Sequence, residues 1–288
     1  MPLSYFKAIW LFTYSDIKTI VVPQSTFGIA AAFAACTLQQ TPVEYSIFDW
    51  LMVHYPLALT WTWLNLLPFN IFNQLSDAAI AEDYANKAWR PLPARIISQK
   101  QAMFLMGVSY VLAVITAWYI GGFRQSGLLI ALGIWYNALG GADGNFIIRN
   151  IINALGILSF ASGAMEVALG TRLLMATRSM QWIAILILVI LTTIQVQDLG
   201  DVEGDVERGR RTMPIVIGDK PTRWLTALFV FASSVLCPVH WSISWHILVL
   251  YLLLGVYVSH RVLMHRSVEA DKFTFKFWNV WYLALDCL

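Results

Sequence analysis

Apolar residues recur along the whole chain in long runs separated by short polar stretches, and the length of those runs predicts membrane-spanning helices. A helix that crosses a bilayer needs about 20 mostly apolar residues. By that measure nine spans are predicted, at 17–38, 49–72, 101–121, 125–141, 147–169, 181–199, 223–241, 244–263 and 272–288. The fourth is short and the ninth is the least apolar, which leaves a count of eight open. Residues 2–14 are amphipathic and predict an interfacial helix, with Phe6, Trp10 and Tyr14 as aromatic anchors. No linker rich in Ser, Pro or Gly interrupts the series, so residues 1–288 read as one all-α transmembrane bundle.

Composition agrees. The chain is 58% hydrophobic and only 12% charged, whereas soluble domains carry about a quarter charged residues. A net charge of +2 gives no basis for nucleic-acid binding. Cys36, Cys237 and Cys287 are scattered and form neither a metal-ligand spacing nor a disulfide framework. The first segment contains Lys7 and lacks the pattern of a cleavable signal peptide.

Charge is distributed unevenly between the two faces. Of the 19 Lys and Arg, only Arg124, Arg172 and Arg178 fall in the loops of one face. The others lie at the N-terminus, after spans two, four, six and eight, or at the adjoining helix ends. Positive residues stay on the cytoplasmic side, so the N-terminus is expected there and the C-terminus opposite. Acids share the same bias: Asp77, Glu82 and Asp83 come after span two, and Asp198, Asp201, Glu203, Asp205 and Glu207 come after span six. Charge beside a membrane is costly, and two acidic clusters on one face point to function.

The second cluster, in the loop segment 197–222, places Asp198, Asp201 and Asp205 at i, i+3 and i+7. On an α-helix that spacing brings three carboxylates within roughly 60° of arc. Aligned carboxylates repel one another unless a cation is present, and Mg2+ takes oxygen ligands of this kind together with substrate phosphates. The run Arg208-Gly209-Arg210-Arg211 comes directly after them. The first cluster, in the segment 73–98, contains Asn73 and Asp77 four residues apart, then Glu82 and Asp83. Asn86 offers an amide oxygen, and Lys87 and Arg90 offer cations to phosphate oxygens. Pro91 and Pro93 stop the helix and stiffen the loop.

Glu82-Asp83-x-x-Asn86-Lys87-x-Trp89-Arg90-Pro91-Leu92-Pro93 and Gln197-Asp198-x-x-Asp201-x-Glu203-Gly204-Asp205, with Gly209-Arg-Arg-Thr212-Met-Pro214 beyond, resemble the two motifs of the UbiA superfamily of membrane prenyltransferases. The resemblance spans nearly the whole chain. It implies a helical bundle around a central cavity and a prenyl diphosphate bound through Mg2+, two or more ions of it. It assigns metal binding to Asn73, Asp83, Asp198, Asp201 and Asp205, and diphosphate contact to Lys87, Arg90 and Arg210 or Arg211. The first motif departs from the family spacing: the middle acid falls on Ala79, so Asp77 or Glu82 must stand in for it. The family's Tyr-x-x-x-Lys pair is also broken, since Tyr136 is followed by Asn137-Ala138-Leu139-Gly140. Arg149 is the one cation near that loop and a candidate phosphate contact.

Two chemistries share this start. Loss of diphosphate leaves an allylic cation, which is attacked either by an acceptor, in a prenyltransferase, or by the chain's own alkenes, in a cyclase. Aromatic residues near the proposed site, among them Trp61, Phe69, Trp135, Phe160 and Trp278, suit a cyclase through their π-faces or serve as interface anchors. The first motif is similar to that of the fungal UbiA-type terpene cyclases that act on farnesyl diphosphate, and the missing lysine favours the same branch. That resemblance implies a sesquiterpene-forming lyase of secondary metabolism in the endoplasmic reticulum membrane. Asn150 and Asn153 bind diphosphate or join neighbouring helices. Glu166 is expected to reach the far interface. The rival class is a transporter, disfavoured because the acids crowd one face beside Arg and Lys.

Overall fold

The computed structural model describes residues 2–38, 46–170, 177–286 and 288, and every regular element among them is helical. Arg172 and Cys287, and the side chains of Cys36, Asn86 and Arg178, lie outside the described residues. Among the described residues, six helical runs are long and apolar enough to cross a membrane: Leu3–Ala34, Gln99–Ile120, Phe146–Leu169, Gln181–Gly200, Asp219–His240 and Trp245–Met264. The remaining expected spans are helical but fall short in length or apolarity. Trp, Asn and Pro dilute the second, the fourth has 15 residues, and the ninth carries Lys272, Lys276 and Asp286. The chain divides into two compact units, residues 1–139 with 156–174, and residues 140–155 with 175–288.

The first unit begins with α1 (Pro2–Asp16), which passes through a π-helical turn, Ile17–Val21, into α2 (Val22–Leu38). The segment expected to lie at the interface is therefore the opening of a longer helical run. A short α3 (Ile47–Asp49) and a second π-helical turn, Trp50–His54, lead into α4 (Tyr55–Asn73). Pro56 lies just past that π-helical turn and has no N–H to give to the preceding turn of the helix, which fits the change of helical type there. Next, α5 (Asp77–Asn86) starts on Ser76, whose hydroxyl accepts from the Ala79 N–H at 3.2 Å. The start of α6 (Gln99–Ile120) is a reciprocal cap: Ser98 accepts from the Gln101 N–H, and the Gln101 side chain accepts from the Ser98 N–H. Gly121 and Gly122, at φ +109° and +74°, reverse the chain into α7 (Phe123–Asn137), a conformation that side chains with a Cβ rarely adopt.

Of α8 (Phe146–Leu169), residues 156–169 belong to this first unit and the earlier ones to the second. Glu166 does not reach outward as expected. It is buried, and it accepts from the Gly122 N–H at 3.1 Å and from Arg124 and Gln125, both at 3.2 Å. Those bonds fasten the glycine turn. Trp61, fully buried on α4, lies on two bare glycines: a Cβ at Gly122 or at Gly163 would overlap its ring. Gly163→Ala is therefore expected to destabilise the protein by about 1–3 kcal/mol through overpacking. Thermal unfolding in detergent checks this, and an unchanged transition would mean that Trp61 repacks at no cost.

The second unit contains α9 (Thr177–Thr193), a 3-10 stretch at Ile194–Gly200, and the short helices α10 (Val202–Glu207) and α11 (Met213–Ile217). Three long helices complete it: α12 (Asp219–His240), α13 (Trp245–Met264) and α14 (Val268–Asp286). Leu186, Ile190, Val230, Val258, Trp278 and Trp281 are among its most deeply buried side chains. One polar knot ties the last three helices. Arg223 of α12 forks onto Asp271 of α14 at 2.8 and 2.7 Å, donates to Asp219 at 2.7 Å, and reaches the Val262 carbonyl of α13 at 2.9 Å. Arg261 of α13 lies 4.8 Å from the centre of the Phe273 ring and bonds Thr274.

Candidate active site

In the first unit, α5 presents its acids on different sides. Asp77 is exposed at the first turn and accepts from the Gln99 side chain at 2.7 Å. Asp83, six residues later and so about 120° around the helix, is buried at 3% exposure. A nitrogen of Arg90 donates to both Asp83 oxygens, at 2.7 and 2.9 Å. Burial pushes the Asp83 carboxyl above its ordinary range while Arg90 pulls it down. Glu82 is half-buried next to it, and Lys87 ends the helix with its N–H on the Asp83 carbonyl at 2.8 Å. Asn73, at the end of α4, has a buried side-chain oxygen without a hydrogen-bond partner. Ala79, where the family spacing would put an acid, is buried. Tyr136 is buried on α7 with its ring 5.6 Å from that of Phe69.

In the second unit, the three aligned acids do not share one α-helix. Asp198 lies in the 3-10 stretch, Asp201 falls at its end with φ −122° and ψ 13°, and Asp205 belongs to α10. The change of helical type breaks the expected arc and separates the three environments. Asp198 and Asp205 are each 1% exposed, while the Asp201 side chain is 41% exposed and stands 3.9 Å from Lys272. Glu203 is exposed.

Each buried acid has its own arginine. Arg149 of α8 donates to one oxygen of Asp198 at 3.0 Å, and Arg210 donates to one oxygen of Asp205 at 3.0 Å. Asp143 completes the network by accepting from Arg210 at 3.0 Å and pairing with Arg208 at 3.5 Å. Its carbonyl also accepts from the Arg211 N–H at 2.8 Å, and the Arg211 side chain is exposed. Burial pushes the Asp205 carboxyl up, opposed first by Arg149 and then by Arg210, so these side chains share one electrostatic environment. Asn150 donates to the Gln195 side chain and the Leu191 carbonyl, both at 3.3 Å. Gln195 in turn donates to the Thr226 hydroxyl at 3.0 Å, which joins α8, the 3-10 stretch and α12.

The second oxygens of Asp198 and Asp205 are buried without a hydrogen-bond partner, as are the Asn150 oxygen and the Asn153 amide nitrogen. Buried polar atoms are nearly always bonded, and Asp198 and Asp205 lie close enough to feel each other's charge, so their open oxygens form a candidate donor set. Mg2+ fits it, since that ion takes oxygen ligands and uses one or two carboxylates plus phosphate oxygens. Among the described residues, no three His, Cys, Asp or Glu side chains converge to hold an ion alone. Asp143 escaped the sequence reading, because a lone Asp in a glycine-rich loop has no local spacing to mark its partners 67 residues away.

Helices of membrane length, with buried acid–arginine pairs beside them, are those of an integral membrane protein. The sequence model of the UbiA prenyltransferase family matches residues 41–281, and the chain belongs to that family. It is 27% identical over 288 residues to the somaliensene A/B synthase of Streptomyces somaliensis, with 96% of this chain and 90% of that one covered. It is 25% identical over 290 residues to the fumagillin beta-trans-bergamotene synthase of Aspergillus fumigatus, covering 100% and 93%. A UbiA homolog from Archaeoglobus fulgidus bound to DMAPP and Mg2+ shares the fold, with a TM-score of 0.65, 14% identity, and 98% and 97% of the two chains covered.

Proposed function

We propose that this chain is a Mg2+-dependent class I terpene cyclase that ionises farnesyl diphosphate and closes it into a sesquiterpene. The observation that carries the reading is the pair of buried carboxylates, Asp198 and Asp205. Each has one oxygen on a buried arginine and a second oxygen with no hydrogen-bond partner. Bound Mg2+ would supply Lewis-acid neutralisation of the leaving diphosphate. The arginines fix the two carboxylates so that each offers one oxygen inward. Asn150 adds an amide oxygen, with Asn153 beside it, and Asp201 contributes from a more open position. From the first motif, Asn73, Asp77, Glu82 and Asp83 are the further oxygen donors of this reading. Lys87, Arg90, Arg149, Arg210 and Arg211 compensate the phosphate charge, and Tyr136 adds a π-face. The carbon–oxygen bond breaks with its electron pair on the diphosphate, and an alkene of the same chain attacks the allylic cation.

Two observations support a cyclase over an acceptor-using enzyme: the near full-length similarity to two terpene synthases, and the missing lysine after Tyr136. In the same reading the chain crosses the endoplasmic reticulum membrane nine times with its N-terminus in the cytoplasm, as the Lys and Arg bias suggests. The test is to supply the purified protein with farnesyl diphosphate, with and without Mg2+, and to analyse a hexane extract by gas chromatography–mass spectrometry. A Mg2+-dependent cyclic hydrocarbon or alcohol, formed with no acceptor present, is the expected result. Intact substrate or simple farnesol would overturn the cyclase and point to a prenyltransferase that needs its acceptor.

A further inference from the structure

Two charged residues in the first turns of α14 have partners: Asp271 binds Arg223, and Lys272 stands by Asp201. The far end of the helix does not. Asp286 is 3% exposed, and neither of its carboxyl oxygens has a hydrogen-bond partner. One turn earlier and on the same face, Tyr282 is equally buried. Its hydroxyl interacts with the Asp286 carboxyl and has no other partner. Cys237 of α12 lies near both groups. Burying a polar group without a bond costs roughly 2–7 kcal/mol. An ionisable group inside a membrane protein that contributes no structural bond is a functional candidate.

Its position along α14 suggests the function. The rings of Phe275, Trp278 and Tyr282 stack in a column, with centroids 5.8 and 5.5 Å apart and planes within 17° and 9°. The column starts beside Asp201 and Gly200, where Lys272 packs, and ends at Asp286. At the α-helical rise, Tyr282 lies about 15 Å and Asp286 about 21 Å beyond Lys272. That interval matches the reach of an extended farnesyl chain whose diphosphate is held at Asp198 and Asp205.

We propose that Asp286, with Tyr282 beside it, donates a proton to a distal alkene of the prenyl chain during cyclisation. This rests on the cyclase reading. The first cyclic cation loses a proton to the departing diphosphate, leaving a neutral polyene. The O–H bond of the Asp286 carboxyl then breaks, and its proton adds to an alkene carbon through the π pair. A tertiary cation results, lying against the faces of Trp278 and Tyr282. The Asp286 carboxylate takes back a proton from the carbon next to the final cation, and that C–H pair forms the last double bond. Protons balance, and no oxidant or reductant is needed.

The experiment equilibrates the full-length protein in D2O and supplies farnesyl diphosphate and Mg2+. Diphosphate release and the deuterium content and ring count of the products are then measured for the wild type, Asp286→Asn and Tyr282→Phe. The wild-type product is expected to carry one deuterium. Per diphosphate released, Asp286→Asn is expected to lose labelled product by roughly 100-fold and to accumulate a less cyclised, unlabelled hydrocarbon. If Asp286→Asn fails to fold, Tyr282→Phe carries the test through a lowered labelled fraction. An unlabelled cyclic product from the wild type overturns the proton donor and leaves the cyclase standing, as does an unchanged product from Asp286→Asn. Absence of diphosphate release from the wild type overturns both.

Discussion

Asp198→Ala is expected to lower Mg2+-dependent diphosphate release by roughly 1,000-fold or more, the scale of losing one preorganised electrostatic contact to a developing charge. The same change strikes stability. Arg149 loses the carboxylate it binds at 3.0 Å, and its side chain is only 7% exposed. Breaking a buried ion pair from one side costs about 3–5 kcal/mol. Asp198→Asn separates the two effects, because it keeps the shape and a bond to Arg149 while removing the anionic oxygen. It is expected to lose less stability than Asp198→Ala, since Arg149 keeps an acceptor, and still be inactive. Asp205→Ala should resemble Asp198→Ala, since Arg210 holds Asp205 in the same way. Asp201→Ala should cost less, because Asp201 is more open and its neighbour Lys272 is itself 49% exposed. Diphosphate release, measured alongside thermal unfolding, decides the matter. Full turnover by Asp198→Asn would remove this acid from the mechanism.

Asp271→Ala is the second large effect, and here stability falls first. Arg223 makes five hydrogen bonds shown by the structure, including two to Asp271, and both residues are 2% exposed. Without Asp271 the guanidinium keeps its charge in a dry site, and a loss of about 3–5 kcal/mol is expected. The double variant Asp271→Leu with Arg223→Met should recover most of it, since apolar replacement of a buried pair is often neutral or better. Activity should fall in the single variant as well. A side chain on Gly200 would meet Lys272 and Asp271 at 3.2–3.5 Å, so the start of α14 is the surface on which the 3-10 acid segment rests. Detergent unfolding curves for the single and double variants check the expectation. Equal stability of Asp271→Ala and wild type would show that solvent reaches Arg223.

How much of the fold and site was legible in sequence depended on how local the signal was. The long helices arise from apolar run length, and the family from residues close together in the chain. The Asp83–Arg90 pair spans seven residues and was visible as neighbouring motif positions. The spacing of Asp198, Asp201 and Asp205 was visible too, but their geometry was not. Periodicity arguments assume one helical type, and the 3-10 stretch carries Asp201 off the line. Bonds across long sequence gaps left no trace: Arg149 to Asp198 spans 49 residues and Glu166 to the Gly122 N–H spans 44. Asp271 went unmarked in the sequence, since Arg223, its partner, lies 48 residues away on another helix.

The fit of Trp61 against Gly122 and Gly163 also limits the order in which this sequence can drift. Position 163 accepts no side chain while a full indole lies across it. An indole lost first leaves a void, which is destabilising in its own right. The smaller step is to shrink position 61 only part of the way before position 163 grows. Neighbouring sequences at these two sites are thus linked by a narrow set of ordered paths, and a relative bearing a larger residue at 163 should carry a smaller one at 61.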